Sequence, residues 1–186
     1  TTSIPGSAFY GCRYLTSVEI PSTVTAIGAQ AFNGCTSLTA VAIPAGVTTI
    51  ENATFSGCSE LTRVEIPSGL TTIGGNAFKN CTKLAKITLP AGVATVGSSA
   101  FYGCAFKTAG PAGSGCDYEY SWTQIPNYAF YQCTSLTSVI IPADVTSVGS
   151  NAFNGCSKLK YVFYAGDETA WSAVTVATGG NNPLKD

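Results

Sequence analysis

The residues of this chain that are best suited to chemistry are its cysteines. Eight are present among 186 residues, at positions 12, 35, 58, 81, 104, 116, 133 and 156. Thiols can form disulfides, bind metal ions or act as nucleophiles. Zinc sites need cysteine pairs about two to four residues apart, whereas the closest pair here, Cys104 and Cys116, is 12 positions apart. The spacing therefore predicts no metal site.

Acid–base catalysis also lacks its usual groups. The chain contains no histidine, which removes Ser-His-Asp and Cys-His nucleophiles and histidine-ligated metals. Glu19 and Glu65 fall on one face of the repeat described below, about 10 Å apart by strand spacing. That distance would suit an inverting carboxylate pair, but an open face provides no pocket to raise the pKa of either group. We expect no enzymatic activity and no cofactor.

Seven of the cysteines mark a repeat. Successive intervals are 23 residues from Cys12 to Cys104 and again from Cys133 to Cys156. The step from Cys104 to Cys133 is 29, and Cys116 lies inside this enlarged unit. The shared unit is I-G-x-x-A-F-x-G-C-x-x-L-T-x-V-x-I-P-x-x-V-T-x. Its phenylalanine position holds Phe9, Phe32, Phe55, Phe78, Phe101, Phe130 and Phe153.

A unit of this length cannot bury its apolar side chains alone. Coils stacked about 5 Å apart would align equivalent residues into ladders and pair the L-T-x-V-x-I segments as a parallel sheet. After the proline, V-T-x-I predicts a second short strand, and x-x-A-F-x-G-C predicts a tight turn. The period and the L-x-x-V-x-I signature predict a leucine-rich-repeat solenoid: a right-handed coil with a concave parallel β-sheet, second short strands and little α-helix.

The same stacking bears on the cysteines. Neighbouring ladder cysteines would have Cβ atoms about 5 Å apart, whereas a disulfide needs about 3.8 Å. We therefore predict that the seven ladder cysteines are buried free thiols that pack as small apolar side chains. Cys116 lies in a Gly/Pro-rich insertion, and we expect it to be either an isolated thiol or bridged to Cys104 or Cys133.

The repeat resembles the BspA-like leucine-rich repeats, whose unit is close to I-P-x-x-V-T-x-I-G-x-x-A-F-x-G-C-x-x-L. The tail from Tyr164 to Val174 is similar to the closing segment of that family. We expect a seven-repeat solenoid over residues 1–164, with an insertion at 105–124, and a C-terminal closing segment over 165–186. The resemblance implies a secreted or cell-surface protein, bacterial or protozoan, that binds host surface or matrix proteins or other cells.

Two departures from the unit stand out. In the fifth unit the leucine position falls on Lys107 and the next apolar positions on Gly110 and Ala112, so we expect the strand there to be broken or displaced. The chain also contains no methionine, and no capping element precedes its first repeat. These last two features predict a piece of a longer protein.

Charge and hydropathy limit the partners. Charged residues make up 10% of the chain and the net charge is −1, which removes the electrostatic attraction on which nucleic-acid binding depends. No apolar run approaches the roughly 20 residues needed to span a bilayer. We expect a protein partner, an extracellular or cell-surface location, no nucleic acid and no membrane span.

Two groups of aromatic residues are candidate partner sites. One lies on the C-terminal strands, and the alternative is that the closing segment around Trp171 covers it. The other lies in and beside the insertion, and the alternative is that its rings fill the core vacated at Lys107. The predicted partner-binding residues are Tyr102, Tyr118, Tyr120, Trp122, Tyr131, Ile140, Tyr161 and Phe163.

We predict a non-catalytic protein-binding or adhesion module. The main alternative is a structural spacer that extends another domain of a larger surface protein. A third possibility, ice binding, is suggested by two columns of threonines, although threonine suits any solvated strand. The columns are Thr25, Thr48, Thr71 and Thr146, and Thr49, Thr72 and Thr95. The identity of the partner and the oligomeric state stay open.

Overall fold

The structure, a computed structural model, describes residues 2–181 and 184, and its elements are short parallel strands and one α-helix. In chain order these are β1 Ser3–Ile4, β2 Ala26–Ile27, β3 Ala40–Ala42, β4 Thr49–Ile50, β5 Arg63–Glu65, β6 Thr72–Ile73, β7 Ile87–Thr88, β8 Thr95–Val96, β9 Thr108–Pro111, β10 Tyr118–Tyr120, β11 Gln124–Ile125, β12 Ser138–Ile141, β13 Ser147–Val148, β14 Tyr161–Tyr164, α1 Glu168–Ser172 and β15 Thr175–Val176.

Each strand pairs with the equivalent strand of a neighbouring repeat. We call β3, β5, β7, β9, β10, β12 and β14 the main strands, and β1, β2, β4, β6, β8, β11, β13 and β15 the side strands. Ala40 pairs with Arg63 in the main strands and Thr49 with Thr72 in the side strands, both parallel and one repeat length apart. The predicted solenoid, with its second short strands and little helix, is confirmed.

The phenylalanines form the ladder that the repeat predicts. From Phe9 to Phe101 neighbouring rings are stacked, with centroids 5.1 to 5.5 Å apart, and the rings of Phe130 and Phe153 are 4.9 Å apart. All of them except Phe9 are buried. Because each buried phenylalanine contributes about 1.5–3 kcal/mol, this column is a large part of the core.

The turns between side strands and cysteines share an unusual backbone conformation. At one position of each turn a residue other than glycine has a φ between 54° and 61°. Its N–H donates to a carbonyl of the next repeat in most turns, as in Ala53 to Gly75 at 2.9 Å. This inter-repeat hydrogen bond holds the residue in a region that side chains other than asparagine disfavour. The residues are Ser7, Gln30, Ala53, Asn76, Ser99, Tyr128 and Asn151.

The fifth repeat contributes two main strands instead of one. The sheet order is β14-β12-β9-β10-β7, and Ala109 of β9 pairs with Val139. Ala109 therefore takes the valine position of the repeat, so the strand is displaced by one residue from the predicted alignment and is not broken. Tyr118 of β10 pairs with both Ile87 and Ala109, and it occupies the valine position a second time.

The side strands have no matching extra strand and fall into separate groups, β4-β6-β8 and β11-β13-β15. In neighbouring repeats a glycine N–H links successive side strands, as in Gly97 to Ile73 and Gly149 to Ile125, both at 2.8 Å. Pro126 occupies the equivalent position and has no N–H. The carbonyl of Val96 therefore loses this donor, and a surface pocket opens between β8 and β11.

The segment after β14 covers the end of the core. The carboxylate of Asp167 accepts a 2.7 Å hydrogen bond from the N–H of Ala170 and caps α1. The ring of Trp171 lies 5.0 Å from that of Tyr164, and β15 pairs with β13. Residues 182, 183, 185 and 186 of the predicted closing segment lie outside the described residues. Among the described residues no helix is long and apolar enough to cross a membrane.

Candidate binding surface

The cysteines form a ladder of thiols beside the phenylalanines. All eight are free, which agrees with the predicted free thiols. Five thiols donate to the carbonyl of a phenylalanine in the preceding repeat at 3.1 to 3.3 Å: Cys35 to Phe9, Cys58 to Phe32, Cys81 to Phe55, Cys104 to Phe78 and Cys156 to Phe130. The prediction that all seven ladder cysteines are buried is wrong for Cys12. Cys12 is exposed because no described residue stacks on its outer side.

Burial makes the ladder thiols unreactive. Desolvation, together with the neighbouring Cys35 thiol, raises the pKa of Cys58 to about 12. Desolvation likewise raises the pKa of Cys156 to about 12, and it raises the pKa values of the deeply buried Cys81, Cys104 and Cys133 well above their ordinary value. A thiol with so high a pKa is neutral at physiological pH and is a poor nucleophile or metal ligand.

Cys116 lies buried in a loop, residues 112–117, that folds over the solvent side of the main strands. It is a free thiol, so the alternative of a bridge to Cys104 or Cys133 is not what the structure adopts. The carboxylate of Glu119 accepts hydrogen bonds from the N–H of Gly115 at 2.8 Å and the hydroxyl of Thr88 at 3.3 Å. This carboxylate thereby holds the loop against β7.

The aromatic residues of the insertion belong to the core. Tyr118, Tyr120 and Trp122 are buried, and the Tyr118 ring lies 5.1 Å from Phe101 and 5.0 Å from Phe130. Tyr118 thus bridges the phenylalanine ladder where the extra strand separates its two parts. The structure adopts the core-filling alternative, and these three predicted binding residues are inaccessible to a partner.

Tyr102 and Tyr131 lie on the turns that follow the side strands, away from the main strands. Both are half-buried. The ammonium group of Lys79 lies 5.6 Å from the ring centroid of Tyr102, and the ring of Tyr131 packs edge-on against Tyr128 at 5.4 Å. These contacts fix the two rings locally, and the structure does not bring them together with the other predicted residues.

An exposed apolar surface remains on the last two main strands. Tyr161 and Phe163 are 58% and 56% exposed, and their rings lie 6.3 Å apart. Phe163 pairs with the half-buried Ile140 of β12. The alternative that the closing segment covers these residues is not what the structure adopts: alternate side chains of a strand point to opposite faces, and Trp171 packs on Tyr164. We call Ile140, Tyr161 and Phe163 the aromatic face.

The exposed threonines have a structural role. The hydroxyl of Thr71 donates to the carbonyl of Thr48 in the preceding repeat at 3.1 Å, and Thr146 donates to Thr123 at 3.2 Å. Threonines outside the two predicted columns do the same, as in Thr62 to Thr39 at 3.1 Å. Each such hydroxyl uses its donor to tie two coils together, which gives the first predicted column, Thr25 to Thr146, a structural role.

The carboxylates of the main strands do not form a reactive pair. Glu65 forms an exposed ion pair with Arg63 at 2.7 Å, while Glu19 lies exposed two repeats away. Neither residue lines the pocket between β8 and β11 or the cleft between β5 and β7. The described residues also contain no group of three or more cysteines, aspartates and glutamates arranged to hold a metal ion.

Comparison with known proteins finds leucine-rich repeat proteins, both by sequence and by structure. The sequence profile of the family described as BspA type leucine-rich repeat region matches six copies, over residues 2–110 and 116–169. No curated protein matches the chain. A leucine-rich repeat protein from Bacteroides ovatus is 34% identical, with a TM-score of 0.70, over 87% of this chain and 40% of its own.

Two further solved structures share the architecture. The leucine-rich repeat protein of T. pallidum is 30% identical, with a TM-score of 0.69, over 86% of this chain and 72% of its own. A leucine-rich cell surface protein from Faecalibacterium prausnitzii is 28% identical, with a TM-score of 0.64, over 96% of this chain and 55% of its own. This chain therefore spans about half or less of the length of two of these three proteins.

Proposed function

Because this chain belongs to the BspA-type leucine-rich repeat family, we propose that it is a non-catalytic protein-binding module, displayed at or outside the surface of a bacterial cell. The surface location is supported by the likeness to a protein described as a leucine-rich cell surface protein. The absence of catalysis is supported by the lack of histidine, by the raised pKa values of the buried thiols and by the ion pairing of Glu65.

The observation that carries the binding role is the aromatic face. Tyr161 and Phe163 expose more than half of their surface side by side on one strand, while the other described aromatic residues of the C-terminal half are buried or half-buried. Exposed aromatic side chains on a fixed backbone bind partners efficiently because they bury a large area at little cost in conformational entropy. Charged residues make up only 10% of the chain, so we infer a protein partner that is recognised mainly through apolar contact.

The test uses the double variant Tyr161→Ser/Phe163→Ser. Binding of the chain to purified extracellular matrix proteins is measured by surface plasmon resonance, and we expect the variant to bind at least about tenfold more weakly. Tyr14→Ser is the matched control, because Tyr14 is 95% exposed at the opposite end of the solenoid and its loss should leave binding unchanged.

The spacer alternative predicts a different result. If no matrix or host surface protein binds, or if the double variant binds as tightly as the unchanged chain, the aromatic face is not a partner site. The repeats would then serve to extend a longer surface protein.

A further inference from the structure

The main sheet is interrupted between the third and fourth repeats. Among the described residues β5 pairs only with β3, and β7 pairs only with β10. The rest of the two repeats stacks normally: the rings of Phe55 and Phe78 are 5.5 Å apart, and side strands β4, β6 and β8 form one sheet. The opening is therefore confined to the facing edges of β5 and β7.

The missing hydrogen bonds are identified by their equivalents in other repeats. The N–H of Ile43 donates to Glu65 at 3.1 Å, and the N–H of Leu89 donates to Glu119 at 2.9 Å. Ile66, which follows β5, occupies the same repeat position as Ile43 and Leu89. Its N–H donates no such hydrogen bond to any described residue. Buried or half-buried backbone groups normally find partners, so this edge presents unused donors and acceptors.

A cleft of about 640 Å³ lies along this edge. Its apolar walls include Val64, Ile66 and Ile87. Val64 and Ile66 are half-buried, whereas Val41, the equivalent of Val64 in the second repeat, is only 2% exposed. The interruption thus leaves apolar core side chains and backbone hydrogen-bonding groups accessible together.

An added β-strand would satisfy both kinds of group. A strand laid along an open sheet edge forms main-chain hydrogen bonds and places alternate side chains into pockets between the strands. The apolar walls of this cleft suit apolar side chains at alternate positions of an extended peptide.

The charge of the cleft selects the peptide. Arg63 and Lys86 line it, and no acidic residue does. Arg63 is paired with Glu65, whereas the ammonium group of Lys86 has no ion pair among the described residues. A carboxylate on the bound segment would therefore meet an unpaired cation.

We propose that the cleft between β5 and β7 binds an extended acidic segment of a partner protein by β-strand addition. Its apolar side chains contact Val64 and Ile66, and its carboxylates pair with Lys86 and Arg63. This site is separate from the aromatic face and goes beyond the proposed function. Variants of the cleft test this proposal, and variants of the aromatic face test the proposed function, so either one can fail alone.

The first experiment selects displayed random peptides of about seven residues, a typical strand length, against the unchanged chain. We expect enriched sequences in which apolar residues alternate with aspartate or glutamate. Binding of the synthesised peptides should weaken at least about tenfold with Lys86→Glu or Arg63→Glu. Lys160→Glu is the matched control, because Lys160 is exposed in the last repeat, outside the cleft, and its change should have no effect.

The second experiment distinguishes strand addition from side-chain contact alone. Amide hydrogen exchange by NMR should show that the N–H groups of Val64 and Ile66 become protected at least about tenfold when the selected peptide is bound. The Tyr161→Ser/Phe163→Ser variant should retain this protection. The proposal is overturned if no acidic peptide is enriched, if Lys86→Glu binds equally well, or if the two amides gain no protection. It is also overturned if light scattering shows that the unchanged chain is a dimer and that Lys86→Glu makes it a monomer, because a second copy would then occupy the cleft.

Discussion

The indole Nε1 of Trp122 donates a 2.6 Å hydrogen bond to the carbonyl oxygen of Val93 in the preceding repeat. Trp122 comes before Thr123-Gln124-Ile125 and so occupies the valine position of the V-T-x-I segment. It is much larger than the valine found elsewhere, and its ring also lies 5.0 Å from Tyr120. Trp122 thus fills the core that the extra strand widens and joins the two halves of the solenoid.

Replacing this residue should test that connection. Trp122→Phe removes the hydrogen bond and leaves the carbonyl of Val93 without this donor, so we expect a loss of about 1–3 kcal/mol in the free energy of unfolding. Urea denaturation followed by circular dichroism measures it. Trp171→Phe is the control: Trp171 is half-buried and its indole N–H donates no hydrogen bond to any described residue, so its change should cost less. Equal losses for the two variants would contradict the role of the hydrogen bond.

The periodic parts of the fold follow from the sequence because each ladder position repeats one residue type. The insertion does not. Counting from Cys104 places the leucine position at Lys107, but the buried residue there is Phe106, one position earlier, because the chain shortens this turn and adds a strand. The rings of Tyr118 and Trp122 then occupy valine positions of the repeat. The larger side chains fit because the extra strand widens the core there, and the local sequence does not show this width.

For the aromatic face, the sequence predicts which side chains share a surface but not whether that surface is covered. Strand alternation predicts correctly that Tyr161 and Phe163 share the outer face, since Val162 and Tyr164 point inward. Whether anything covers that face depends on the path of the closing segment. Helix α1 starts at Glu168, immediately after its Asp167 cap, and places Trp171 on the inner side. That path is a tertiary property which the local pattern of residues does not contain.

The buried thiols predict how stability depends on pH. The folded-state pKa of Cys58, about 12, lies above its ordinary value of 9.0. Above pH 9 the unfolded state therefore releases a proton that the folded state keeps, so the free energy of unfolding falls as the pH rises from 9 towards 12. The slope is at most about 1.4 kcal/mol per pH unit for each such thiol.

Two variants check this slope by urea denaturation at several alkaline pH values. Cys58→Ala should reduce it by up to one thiol's share, after allowance for its lower stability at neutral pH. Val47→Ala, at a buried residue without a titratable group, should leave the slope unchanged. A slope that is identical in all three proteins would show that the thiols do not govern alkaline unfolding.

The left-handed turn residues offer a stabilising change. Ala53 has a φ of 54°, and asparagine tolerates this conformation better than alanine. Asn76 and Asn151 already occupy equivalent positions in other repeats. We expect Ala53→Asn to raise the free energy of unfolding by about 0.5–1 kcal/mol. Ala45→Asn, at an exposed residue without a positive φ, should not stabilise the chain, and a gain of the same size there would refute the explanation.

The loop over the main strands depends on Gly110. A methyl group added there would lie 2.9 Å from the sulfur of Cys116 and 3.0 Å from the hydroxyl oxygen of Ser114. Gly110→Ala should therefore lift the loop and expose Cys116. We expect thiol labelling of the folded protein to modify Cys12 alone in the unchanged chain, and both Cys12 and Cys116 in the variant.

Gly69→Ala is the control for this prediction, because the added methyl group would meet its nearest atom at 3.7 Å and Cys116 should stay protected. The loop lies on the solvent side of the sheet, whereas the core contacts of Trp122 lie on its inner side. We therefore expect Gly110→Ala to keep the circular dichroism spectrum of the folded solenoid. Labelling of the other buried cysteines in that variant would mean that the loop is part of the core. Labelling of only Cys12 and Cys116 would establish that the loop lies over a sheet that is stable without it.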